Sequence, residues 1–148
     1  MILALLERPS MEDTLKKALS DVEEFSNEEI ETIGIGGHVY TEDEKSVLCP
    51  SEKVKQEAED ISKLVGEKAL LFGKEYVLKN VARIKAFINQ NPITTLINAC
   101  DGDKNGDYLF EYVCHQIEPD IPAKVKRLIF FSITKEGTFP YYEIKEIK

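Results

Sequence analysis

The chain has 148 residues, of which 43% are hydrophobic and 31% charged, with a formal net charge of −8 at pH 7. That length supports one domain with a full core, and the apolar fraction excludes an intrinsically disordered chain. The charge argues against strong nucleic-acid binding by the surface as a whole, and no apolar run approaches the ~20 residues of a membrane span.

The charge is unevenly spread. Residues 20–31 hold six acids and no base, whereas Lys74 to Lys85 carries four bases against one acid and 121–148 carries six against three. An acidic flank and a more basic one are compatible with nucleic-acid contact on one side, and equally with a solvated mixed surface. Three cysteines, Cys49, Cys100 and Cys114, are widely spaced and form no zinc pattern, which predicts reduced thiols and a cytoplasmic setting. Met1 to Leu6 is too short, and too soon followed by Glu7 and Arg8, for a signal-peptide core.

In chain order, Met1–Leu6 is a continuous apolar run, the mark of a strand buried on both faces. Ser10 after Glu7-Arg8-Pro9 is a predicted helix N-cap, with Asp13 completing a capping-box-like pattern. Met11, Leu15, Ala18 and Leu19 then form one helical face to about Ser20. An acidic connection follows, and Thr32 to Tyr40 reads as a short strand broken by Gly34, Gly36 and Gly37. These glycines permit backbone conformations that aim His38 at a site, although an incidental surface histidine fits the same stretch.

From Ser51 the spacing Val54, Ala58, Ile61, Val65 predicts a helix of about four turns, capped by Gly66. Ala69–Phe72 is apolar and unassigned. Tyr76–Gln90 is a stronger helix, with Val77, Val81, Ile84 and Ile88 on one stripe and Lys79, Arg83 and Lys85 away from it. Thr94 onward is a β-branched, apolar strand that ends at Asp101-Gly102-Asp103, with a helix after it to Ile117. Lys126–Ile133 is a further buried strand, and Tyr141–Ile147 a last edge strand. Strands that alternate with helices predict a single α/β domain with a mainly parallel central sheet flanked by helices on both faces.

Open α/β sheets place their ligands at the C-terminal ends of strands. Asp101 and Asp103 sit at such an end on either side of a glycine, and Glu7 sits at the end of the first strand. Hard oxygen ligands held close together suit Mg²⁺. Asp-Gly between two elements is also ordinary turn chemistry, and spacing alone leaves both readings open.

Four segments in order resemble a known module, the Toprim domain of type IA DNA topoisomerases of the topoisomerase III-like kind. Leu5-Leu6-Glu7-Arg8-Pro9-Ser10 resembles their hydrophobic-E-K-P-S opening, and Gly37-His38 the glycine-histidine after their second strand. Ala99-Cys100-Asp101-Gly102-Asp103-Lys104-Asn105-Gly106-Asp107 resembles A-T-D-P-D-R-E-G-E, and Arg127–Thr134 is similar to R-x-x-F-x-x-I-T.

The resemblance implies a Toprim-like domain over 1–148, with Thr134–Lys148 an edge strand or the start of a link to a further domain. It implies Mg²⁺ (or Mn²⁺) held by Glu7, Asp101, Asp103 and Asp107. Catalytic roles fall to Glu7, Arg8, Asp101 and Asp103, and nucleic-acid contacts to Arg8, Ser10, His38 and Lys104. The implied partners are DNA, single-stranded above all, or RNA, held weakly by the isolated domain, and no membrane.

Asn105 stands where these relatives carry a third acid, Asp107 where they carry a glutamate, and Arg8 where many carry a lysine. Asn105 keeps an oxygen able to meet a metal or its water shell, but its lost charge predicts weaker binding. The family's nucleophilic tyrosine lies outside this module, and no tyrosine here stands in a similar context. Relaxation of supercoils therefore requires a tyrosine-bearing region in cis or in trans. The rival expectations are a stand-alone binding or regulatory module without catalysis, and a small metal-dependent nuclease.

Overall fold

A computed structural model describes residues 1–41 and 58–147. In chain order its elements are β1 (Ile2–Leu6), α1 (Glu12–Ser20), β2 (Ile30–Gly34), β3 (His38–Thr41), β4 (Glu59–Asp60), α2 (Ser62–Val65), β5 (Ala69–Phe72), α3 (Lys74–Gln90), β6 (Thr95–Asn98), α4 (Lys104–Ile117), β7 (Lys124–Phe130) and β8 (Tyr142–Glu146). The central sheet has five strands in the order β2-β1-β6-β7-β8. All its pairings are parallel except that of β8, which runs antiparallel to β7 at the edge.

β1 is the centre of this arrangement because all five of its residues are buried, as the unbroken apolar run predicts. Alternate side chains go to opposite faces. Ile2, Ala4 and Leu6 meet Leu15 and Leu19 of α1, while Leu3 and Leu5 meet Val77, Val81 and Ile84 of α3 and Leu109, Val113 and Ile117 of α4. The fold is therefore α/β, with a mainly parallel sheet covered by helices on both faces. No helix among the described residues is long and apolar enough to cross a membrane.

Several local expectations change. The strand expected over Thr32–Tyr40 is two strands in two sheets, because Gly36 turns the chain off the main sheet at φ +84°. β3 then joins a three-stranded antiparallel sheet, β3-β5-β4, and the unassigned Ala69–Phe72 is its middle strand. The helix expected from Ser51 lies outside the described residues over 51–57. Its remainder is strand β4 and the single turn α2, which Gly66 ends in the left-handed region at φ +79°. Lys126–Ile133 is strand only as far as Phe130.

Ser10 does not cap α1. Pro9–Met11 is a 3₁₀ turn closed by the Met11 N–H donating to the Arg8 carbonyl at 3.0 Å, which shifts the helix start to Glu12. Met11 itself is exposed rather than part of the buried stripe.

Candidate functional site

The parallel register brings the ends of β1, β2 and β6 together, with Leu6 opposite Gly34 and Leu5 opposite Asn98. The pairing continues into the turns. The Ile35 and Gly36 N–H groups donate to the Leu6 and Glu7 carbonyls at 2.7 and 2.8 Å, and the Ala99 N–H donates to Leu5 at 2.8 Å. Glu7 thus emerges between the glycine loop and the acidic turn. Its side chain is only 11% exposed, and its Oε2 lies 3.8 Å from Nδ1 of the half-exposed His38.

The glycine loop is held from behind by α3. The Asn80 amide, itself buried, donates to the Ile35 carbonyl at 2.9 Å. The Tyr76 ring lies where a side chain on Gly36 would stand, 2.2 Å from an ideal Cβ there. Together Glu7, Arg8, Ser10, His38, Tyr76 and Asp101 line an open cleft of about 470 Å³. Among the described residues the Arg8 side chain makes no hydrogen bond or ion pair, although its charge acts on Asp101, and its guanidinium is open to an anion. Neither Tyr76 nor Asn80 is suggested by the sequence, where both fall on an ordinary amphipathic helix.

On the β6 side, Asp103 is the N-cap of α4, and its Oδ1 accepts from the Gly106 N–H at 2.9 Å. This satisfies one of the donors that a helix start leaves unpaired. Gly106 has to be a glycine because a Cβ there would stand 2.2 Å from the Asp101 carbonyl oxygen. Asp101 consequently rides directly on the start of α4. Partial burial, then the charges of Glu7 and Asp103, raise its carboxyl above the ordinary aspartate value, while Arg8 and His38 pull the other way. Asp101 therefore feels the charge of Glu7 from a sequence position nearly a hundred residues away.

Behind this turn lies a group that opens the Arg127–Thr134 segment and to which the sequence assigns no role. Arg127 on β7 is 6% exposed, and its guanidinium donates to the carbonyls of Asn98, Cys100, Asp101 and Leu128 and to the Asn98 side chain. Its Nε stands 2.9 Å from Oδ1 of Asp107, which also accepts from the Asn98 amide at 3.1 Å. The sequence signals for this cluster are that Arg127 opens the Arg127–Thr134 segment and that it lies, after Lys124 and Lys126, on a strand that is continuously apolar only from Leu128 onward.

The expected site residues therefore divide. Glu7, Arg8, Ser10, His38 and Asp101 share the cleft, and Asp103 stands beside Asp101. Asp107 is turned to Arg127 and lines a separate cavity with Phe110, Cys114 and Val125, so it does not join Glu7 and Asp101. Lys104 is paired with Glu67 at 3.2 Å, away from Arg8. Asn105 is 3% exposed and accepts from the Thr41 hydroxyl at 3.5 Å, so its amide faces β3 rather than the cleft. An acid there would be buried, which is a physical reason for a neutral side chain.

The donor chemistry of Glu7, Asp101 and Asp103 fits a hard divalent cation, since all their ligating atoms are oxygens. The upward shift of the Asp101 carboxyl, by burial and then by Glu7 and Asp103, marks a place where added positive charge is favourable. Among the described residues no three acidic, histidine or cysteine side chains stand ready-made as a metal cluster. Mg²⁺ keeps several of its waters and is commonly held by one or two carboxylates, so a closed cage is not required.

No protein-family model matches the chain, and the search of curated proteins returned no match.

Proposed function

We propose that this chain is a Toprim-type module that acts on nucleic-acid phosphodiesters with Mg²⁺ held by Glu7, Asp101 and Asp103, together with a tyrosine-bearing region in cis or in trans. The observation that supports it is the meeting of these acids and the Arg8 side chain at the C-terminal ends of β1 and β6, in the order of motifs that resembles type IA topoisomerases. When bound, the cation would stabilise negative charge on the phosphate oxygens and the leaving oxygen. Arg8 offers a two-pronged contact to a phosphate where lysine offers a point charge. Glu7, 3.8 Å from Nδ1 of His38, would either join the two aspartates on the cation or handle a proton at the leaving oxygen.

Two tyrosines inside the domain are poor nucleophiles. The hydroxyls of Tyr108 and Tyr112 donate to Glu67 and Glu59; Tyr108 is held protonated chiefly by that hydrogen bond, and Tyr112, pushed up to about 12, by burial and then by its own. This sets those two aside as nucleophiles. Cys100, buried, with burial and the Glu7 charge pushing its thiol up, is an inert free thiol that suits a reducing, cytoplasmic setting.

Titration with Mg²⁺ or Mn²⁺ tests the reading: the melting temperature rises in the wild type, and Asp103→Ala loses the rise. Equal shifts in both proteins would remove the metal assignment. The buried, neutral Asn105 favours a second reading, a divergent module that binds nucleic acid without cutting it. Incubation with single-stranded DNA and Mn²⁺ separates the two from a nuclease, which alone cleaves without a partner.

A further inference from the structure

We infer that Arg127 is the positioning residue of the acidic site. Its guanidinium, held by Asp107, fixes the backbone from Asn98 to Asp101 and so sets where the Asp101 carboxylate stands beside Glu7. The inference deepens the proposed function and rests on it only for the consequence at the metal.

Three observations carry it. First, the guanidinium is buried yet fully engaged, chiefly with main-chain oxygens at the end of β6 and in the turn after it. A turn normally leaves such carbonyls to solvent or to helix and sheet partners. Here one side chain gathers those of Asn98, Cys100 and Asp101. Second, the guanidinium spreads five donors over three nitrogens in a fixed plane, whereas a lysine has three at a single nitrogen and does not reproduce that spread. Third, Asp107 supplies the counter-charge and also accepts from Asn98, whose Oδ1 in turn accepts from the Cys100 N–H at 3.0 Å. Strand end, turn and helix are thereby joined through one cation. Asp107 thus acts through Arg127, and its place in the motif is not that of a metal ligand.

The test uses amide hydrogen exchange of the whole chain together with Mg²⁺ titration. In Arg127→Lys, exchange over 98–106 should quicken about tenfold, the factor that matches loss of a hydrogen bond to a charged group, while β1 stays protected. The Mg²⁺ midpoint should rise by a similar factor. Arg127→Gln should do the same or more. Asp107→Asn, at a more exposed carboxylate, should show the same pattern more weakly and keeps the test decisive if the Arg127 variants fold poorly.

If Asp107 acts through Arg127, the double variant binds Mg²⁺ no worse than Arg127→Gln alone. A double variant weaker by the product of the two effects would make Asp107 a direct ligand and overturn its assigned role. Unchanged exchange over 98–106 in every variant would overturn the inference itself. Quickened exchange in a protein whose wild type ignores Mg²⁺ would remove the metal reading and leave Arg127 as the anchor of the turn.

Discussion

On one side of the turn between β6 and α4, Asp101 stands beside Glu7 and Asp103 with Arg8 and His38 to offset their charge. On the other side, one helical turn further along, Asp107 is paired at 2.9 Å with a guanidinium that is almost wholly buried. The two sides carry the same residue type within seven positions of sequence. Their difference lies in what β7 and β1 bring to each. β7 gives its side a fixed cation, and β1 gives the other a further acid. Under the proposed function the first side would hold a cation and a phosphate, while the matched pair of the second side serves as scaffold.

The sharpest way to break this contrast is to separate the turn from the helix on which it rides. Gly106→Ala places a methyl against the Asp101 carbonyl, so the turn must lift from α4. We expect a loss of about 1–3 kcal/mol of stability in urea denaturation, as for other overpacked sites, together with loss of the response to Mg²⁺. Retention of both would mean that the docking of the helix start on the turn is loose.

A smaller effect is expected on the scaffold side. Asp107→Asn keeps the shape but removes the counter-charge of Arg127, which still has its carbonyl acceptors. The cost should be about 1 kcal/mol, the scale of one hydrogen bond partly screened by solvent, read from the urea midpoint at constant slope.

The smallest effect has the opposite sign. The folded-state value of Asp101 lies above its unfolded one, so its ionised form opposes folding. The increment of stability is whole below the ordinary aspartate range and is lost as the pH rises through the raised value. Asp101→Asn should therefore melt slightly higher than wild type at neutral pH, and the advantage should vanish in acid. A melting temperature that follows pH identically in both proteins would show that neither burial nor the neighbouring acids raise the Asp101 value.

Much of the architecture is legible in the residues. The unbroken run Ile2–Leu6 reads correctly as a strand covered on both faces, and the stripe Val77, Val81, Ile84 reads correctly as the inner face of a helix. Both depend on local periodicity, which sequence carries directly. The break at Gly36 is harder, because glycine announces freedom without saying where the chain goes. Its consequence, a second sheet built from β3, β5 and β4, follows from pairing between segments some thirty residues apart. Asp101, Asp103 and Asp107 share one motif, but their roles depend on strands distant in sequence.

The sequence by itself determined the alternation of strands and helices, the burial of β1, and the presence of acids at two strand ends, because each is a property of neighbouring residues. Tertiary structure alone decided which acids meet. Parallel pairing of β1 with β6 set Glu7 beside Asp101, and pairing of β6 with β7 set Arg127 beneath the turn and drew Asp107 to it. The reason is physical: charges act through space, over a few ångströms, whatever the number of residues between them.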